Sequence, residues 1–201
     1  MAFVVIGAGG FGREVAWTAA EAGLDVAGFC DDDPDAGGRL AHAPFLGAIE
    51  NAAASLAGGE VSFIVAVGSN KARRDLFKRA EACGWTPRSV VSPHAVIAPD
   101  AALAPGCYIG PGAVVSVGAR IGSGAIVNNI ASIGHDATIG DFAQVCPGAA
   151  ISGGCVVGTG ALVGSCATAI PGVRIGADAT LGAGTVAMRD IVDGASIVRL
   201  R

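Results

Sequence analysis

Residues 121–151 read IGSGAIVNNIASIGHDATIGDFAQVCPGAAI, and every sixth position is aliphatic: Ile121, Val127, Ile133, Ile139, Val145 and Ile151. The series runs back through Val115, Ile109, Leu103 and Ile97 to Val91, and forward through Val157 and Val163. Ala169 is a weak step, after which Ile175 and Leu181 restore the pattern. Four residues after each aliphatic position comes a small one. It is alanine or cysteine from Ala95 to Ala179, except Val173, and Thr185 closes the series. A period of six fits neither the 3.6-residue helix nor a lone amphipathic strand. It fits a parallel β-helix of hexapeptide repeats, whose coils stack and bury a continuous core.

In such a coil the aliphatic residue points into a narrow prism, and three hexads complete one circuit. The second inward residue must be small because three flat walls converge there. Pairs such as Pro105-Gly106, Pro111-Gly112, Ser123-Gly124, Pro147-Gly148, Gly153-Gly154 and Pro171-Gly172 fall between the inward positions. They supply the tight corners, glycine by its permissive φ and proline by its preset one. Abundant glycine and only 5% aromatic residues suit a thin core of this kind.

Residues 142–173 carry no formal charge, but their glycines, prolines and six-residue period argue against a membrane span. The N-terminus has no basic segment or cleavage site, so a cytoplasmic, soluble chain is expected. A net charge of −4 without a basic stripe makes nucleic acid an unsuitable partner. The six cysteines form no CxxC pair, so neither a metal site nor a disulfide framework is expected. Cys107 and Cys155 fall at small inward positions.

The first 88 residues follow other rules. Residues 3–6 read as a buried strand, followed by Gly7-Ala8-Gly9-Gly10-Phe11-Gly12 and a helix from Arg13 to Ala22. A second strand, Val26 to Cys30, ends in Asp31-Asp32-Asp33-Pro34. A third, Val61 to Val67, leads into Gly68-Ser69-Asn70-Lys71 and a helix through Ala82. This alternation predicts a small Rossmann-like parallel α/β domain over residues 1–88, ahead of the repeat domain over 89–201. The loop matches GxGxxG, with acidic residues about twenty positions on, and could hold a diphosphate on backbone N–H groups. One short α/β unit leaves no room for a nicotinamide half, so a mononucleotide or nucleotide sugar fits better than a dinucleotide.

One pair carries chemistry. His135-Asp136 occupies a corner where most other hexads place proline, glycine or small polar residues. A histidine there points outward, can accept a proton near neutral pH, and can be oriented by the adjacent carboxylate. The same spacing also admits a solvated surface histidine. His94 holds a comparable corner near the domain junction, and His42 lies in a polar loop; both are read as structural or solvated.

In order, GAGGFG, a strand ending Asp-Asp, a strand leading into Gly-Ser-Asn-Lys, and hexads containing His-Asp-Ala-Thr-Ile-Gly-Asp-Phe resemble the sugar O-acyltransferases of the sialic-acid type. They resemble even more the bacterial nucleotide-sugar N-acetyltransferases that modify 4-amino-4,6-dideoxy sugars. The resemblance covers nearly the whole chain. It implies a left-handed β-helix, a handedness opposite to the usual crossover rule, and acetyl-CoA bound between subunits of a homotrimer. It implies His135 as general base with Asp136 as helper. It places Gly9, Gly10, Phe11, Asp31, Asp32 and Gly68 at a UDP- or GDP-linked sugar, and Gln144, Gly153, Ser165 and Ala183 at acetyl-CoA. The chain departs from the family at Phe11 and Gln144, where histidine is common, and in lacking the Gly-x-Pro-Ala tail. The leading expectation is an acetyl-CoA-dependent N-acetyltransferase acting on a nucleotide-linked 4-amino-4,6-dideoxy sugar. The alternatives are an O-acetyltransferase on sialic acid or a related sugar, and a non-catalytic scaffold that binds nucleotide sugars.

Overall fold

Phe3-Val-Val-Ile6 is too apolar to face water on either side, and it becomes the central strand of a parallel sheet. The structure, a computed structural model, describes residues 1–39 and 43–198; His42 and the last three residues lie outside them. The chain divides into two units, Met1–Val90 and Val91–Arg201.

In the first unit, β1 (Ala2–Ile6), β2 (Val26–Cys30), β3 (Phe45–Gly47), β4 (Val61–Val65) and β5 (Thr86–Pro87) form one sheet in the order β3-β2-β1-β4-β5. All pairs are parallel, so crossovers are needed. α1 (Gly10–Glu21) joins β1 to β2, α2 (Ile49–Ser55) joins β3 to β4, and α3 (Asn70–Ala82) joins β4 to β5. The strand order reverses at β1, which opens a crevice at the carboxyl ends of β1 and β4, where such sheets bind ligands.

The sequence placed the start of α1 at Arg13; the helix begins at Gly10 with Gly9 as its N-cap. Gly12 must be glycine, because a Cβ there would overlap the Gly7 carbonyl oxygen. The expected strand to Val67 stops at Val65. Arg73, only 1% exposed, holds the turn that follows, donating to the Val67 carbonyl at 2.9 Å and to Asn70 Oδ1 at 2.8 Å. β3, α2 and β5 were not read from the sequence, because each is too short to show a period.

Arg79 on α3 ties together two other segments. Its Nη1 and Nη2 donate to Asp32 Oδ2 and Oδ1 at 2.7 and 3.1 Å. Its Nε and Nη2 donate to Glu50 Oε1 and Oε2 at 3.0 and 2.9 Å. These hydrogen bonds hold both carboxyls below the usual carboxylate range and push the guanidinium further up. Burial, reinforced by the charges of Asp32, Glu50 and Asp31, pushes the Cys30 thiol up to about 12, so it stays protonated at neutral pH.

The second unit is a left-handed parallel β-helix built from two-residue strands in three sheets. Partners are 18 residues apart: Val115 pairs with Ile133, Ile133 with Ile151, and Ile151 with Ala169. The aliphatic and small inward series fill one continuous core from Cys107 to Ile191. The last circuit is shorter by two residues, since Ile175 bridges Ile191 and Leu181 pairs with Ile197.

The corners explain the glycine content. From Gly106 to Gly184, every sixth residue has a positive φ. Nine of these fourteen positions are glycine, and the other five are Ile130, Asp136, Phe142, Cys166 and Asp178. A larger side chain there is disfavoured by about 1–2 kcal/mol, with aspartate the best tolerated of the five. Three of the five follow one another at Ile130, Asp136 and Phe142, around a single coil.

Ile133→Asp puts a partnerless carboxylate inside the prism, at a cost of several kcal/mol. Circular dichroism should show loss of the cooperative melting of the repeat; melting like wild type would contradict the inward placement.

The Arg79 clamp has a defined pH window. Asp32 and Glu50 have lowered folded-state pKa values. Its contribution is therefore complete above their unfolded values and is lost as the pH falls through the lowered ones. All three side chains are more than a third exposed, so the contribution is about 1 kcal/mol or less. Urea titration should find Arg79→Ala less stable than wild type at neutral pH, with the gap closing on acidification. A gap that persists once the carboxylates are protonated would contradict an ionic origin.

Candidate active site

The β-helix has three edges, and His135 lies on the one between the Ser132–Ile133 and Thr138–Ile139 strands. Stacked along this edge, coil by coil, are Val117, His135, Gly153 and Pro171, each followed by the corner residue Gly118, Asp136, Gly154 or Gly172. The backbone at His135 is fixed from both sides. Asp136 N–H donates to the Val117 carbonyl at 2.9 Å, and the His135 carbonyl accepts from Gly154 N–H at 2.8 Å.

Asp136 has φ 58°, and the other described corners of this edge with positive φ are glycine. Aspartate tolerates this backbone region better than most side chains, and here it holds a carboxylate beside a histidine. Its Oδ2 is 2.9 Å from His135 Nδ1. With Nδ1–H donated to the carboxylate, Nε2 keeps its lone pair and can take a proton. Both side chains are open to solvent, at 66% and 74% exposure, so an acceptor can reach them. The expected corner is therefore occupied by an oriented, accessible imidazole. His94 stands elsewhere: its carbonyl accepts from Gly112 N–H, which places it on the edge of Gly112 and Ile130.

Of the residues expected at acetyl-CoA, only Gly153 lies beside His135 within one chain. Gly153 shares its edge, one coil further on. Ser165 and Ala183 are exposed on the edge that carries Ile130. Gln144 lies on the sheet formed by the Tyr108, Ile126 and Leu162 strands, the one sheet that does not border the His135 edge. Gln144 Nε2 donates to Cys146 Sγ at 3.6 Å, while its Oε1 is buried with no partner among the described residues.

In the first unit the expected nucleotide contacts divide. Asp31 Oδ2 accepts from Ala8 N–H at 2.8 Å and Oδ1 from Asp33 N–H at 3.0 Å, so it joins the glycine loop to the end of β2. Asp32 is engaged by Arg79. Gly9, Gly10 and Gly68 have open space where a side chain would stand, so the backbone there can be approached closely. Phe11 is half-buried in the first turn of α1. That helix has no side-chain cap and no acid in its first turn, which leaves its N-terminus suited to an anion. A cavity of about 60 Å³ lies between Gly7, Asp31, Asp32, Ile49, Val67 and Leu76. Sequence reasoning missed Arg79, which lies 47 residues from Asp32 and has no local signal linking the two. Among the described residues, no cluster of His, Cys, Asp or Glu could hold a metal ion.

The family model described as PglD N-terminal domain matches residues 2–80. The comparison with curated proteins finds no match. Among solved structures, PerB from Caulobacter crescentus in complex with CoA and GDP-perosamine superposes with a TM-score of 0.92 at 32% identity, over 98% of this chain and 93% of that one. The acetyltransferase domain of PglB from Neisseria gonorrhoeae FA1090, in complex with acetyl coenzyme A, gives 0.90 at 33% identity over 97% and 94%. A Caulobacter crescentus perosamine N-acetyltransferase with one histidine replaced by asparagine, again with CoA and GDP-perosamine, gives 0.91 at 32% identity over 98% and 92%. WeeI from Acinetobacter baumannii AYE, at 23% identity and a TM-score of 0.90, shares the fold. With about a third of its residues identical over nearly the full length of such enzymes, the chain belongs to the hexapeptide-repeat acetyltransferases that carry a PglD-type N-terminal domain.

Proposed function

We propose that this acetyltransferase moves the acetyl group of acetyl-CoA to the amine of a nucleotide-linked 4-amino-4,6-dideoxy sugar, with His135 as general base. The observation that carries this reading is the 2.9 Å contact of His135 Nδ1 with Asp136, which leaves Nε2 accessible at an exposed corner. The sugar nitrogen attacks the thioester carbonyl, forming the C–N bond as the C–S bond breaks. The amine proton passes to Nε2 and from there to the departing sulfur, so the imidazole is regenerated. Asp136 holds the ring in the required tautomer and steadies the imidazolium form.

The nucleotide is assigned to the crevice of the first unit, with Gly9, Gly10, Phe11 and Gly68 around the diphosphate and Asp31 and Asp32 beside the nucleoside. UDP- and GDP-linked sugars both suit it; the relatives with bound nucleotide sugar carry GDP-perosamine. Acetyl-CoA is assigned to Gln144, Gly153, Ser165 and Ala183. Their distribution over separate edges and a sheet supports a homotrimer in which neighbouring chains complete each site. The outward residues support the same arrangement. Val96, Val114, Val117, Ile130, Ile170 and Val186 are exposed apolar residues on one sheet or its two bordering edges. The outward row of the Arg120 and Arg174 strands belongs to another sheet. No helix among the described residues is long and apolar enough to cross a membrane.

Purified protein should acetylate nucleotide-linked 4-amino sugars with release of CoA thiol, read with a thiol reagent and by product mass. Acetylation of a hydroxyl on a sialic-type acceptor instead would favour O-acetyl transfer, and nucleotide-sugar binding without turnover would favour a scaffold. His135→Ala should retain fold and acetyl-CoA binding while turnover falls roughly 10²–10⁴-fold, the usual worth of general base catalysis. Asp136→Asn should lose less, because it acts through the imidazole. An alanine variant with more than about half of wild-type turnover would remove His135 from the base role and favour attack by an already neutral amine.

A further inference from the structure

The His135 imidazole lies along its edge with a glycine one coil after it and another one coil before the neighbouring carboxylate. A Cβ on Gly153 would collide with the ring: Nε2 is nearest, with Cε1 at 2.6 Å and Cδ2 at 2.9 Å. A Cβ on Gly118 would stand 2.5 Å from Asp136 Oδ1. The two glycines differ in kind. Gly118 has φ +67°, so its backbone itself favours glycine. Gly153 does not have a left-handed φ, so its conformation accepts any residue. Other coils place Val117 and Pro171 at the same point of this edge. What Gly153 provides is vacant space, and the ring fills it.

We propose that Gly153 is a positioning residue for His135, and that its missing side chain lets the imidazole lie with Nδ1 on Asp136 and Nε2 facing the acceptor. The proposal rests on the reading of His135 as the base. An alanine methyl at residue 153 must displace the ring, because the groups it meets belong to that side chain. The ring is exposed and can rotate away, so the fold survives. The rotation separates Nδ1 from Asp136 and turns Nε2 off line. Alanine keeps the residue 153 amide, so any backbone contact to the substrates is retained. The substitution therefore isolates the steric effect.

The test is a kinetic double-mutant cycle of Gly153→Ala and His135→Ala in the full-length protein, with melting temperatures measured in parallel. Gly153→Ala alone should lower kcat roughly 10²-fold, the scale of a 1 Å misplacement of a catalytic group. KM for the nucleotide sugar and the melting temperature should stay near wild type. In the His135→Ala background the same substitution should change kcat by less than about twofold, because the ring it displaces is gone. A full additional loss in that background, or a lowered melting temperature, would overturn the proposal by showing an effect independent of His135. Wild-type kcat for Gly153→Ala, beside a crippled His135→Ala, would overturn it while leaving the base assignment standing. Wild-type turnover in His135→Ala would bring down the base assignment, and the positioning role with it.

Discussion

A chain that turns a triangular coil must change direction every six residues, and it does so here through one left-handed residue per corner. That requirement runs from Gly106 to Gly184 without a break. It sets the period, fixes which residues face inward, and explains why glycine is so frequent. It also limits what the edges can display, since the turning residue offers no side chain where it is glycine. Chemistry can be placed at a corner in two ways. It can sit just before the turning residue, as His135 does, or it can take the turning position itself, as Asp136 does. The His135-Asp136 pair uses both on one corner.

The large corner side chains also impose conditions on their neighbours along the edge. Ile130 lies over Gly112, Asp136 over Gly118 and Phe142 over Gly124, in each case where a Cβ would collide or nearly touch. A residue that abandons glycine in one coil therefore calls for glycine in the preceding one. His135 makes the same demand in the opposite direction, on Gly153. The hexads are thus coupled along the edges as well as through the core, so the His135-Asp136 corner cannot be moved by one coil without changing the residues above and below it.

The repeat was legible because its period is long, nearly unbroken and foreign to other secondary structures; Ile133, Ile151 and Ala137 could be assigned inward from spacing alone. The parallel sheet was legible from Phe3–Ile6, Val26–Cys30 and the strand beginning at Val61. Phe45–Gly47, Ile49–Ser55 and Thr86–Pro87 were not, since three to seven residues cannot display a period. At the site, the outward placement of His135 followed from counting hexads. The bonds that occupy Asp31 and Asp32 did not, because their partners Ala8 and Arg79 are joined to them only by the fold. Likewise, a run such as Ser152-Gly153-Gly154 reads as a turn, and nothing local shows that one of its glycines makes room for a ring from the previous coil.

The proposed function joins the His135 edge of one chain to the Ser165–Ala183 edge of another. Subunit complementation tests this most directly. His135→Ala removes the proposed base, and Ser165→Trp fills the Ser165–Ala183 edge proposed for acetyl-CoA while leaving His135 in place. Each homogeneous protein should be nearly inactive. Unfolding and refolding the two together should restore a substantial part of the wild-type activity, because some interfaces then pair an intact base with an intact edge. Mixed oligomers that form but remain as inactive as their parents would contradict a site shared between chains.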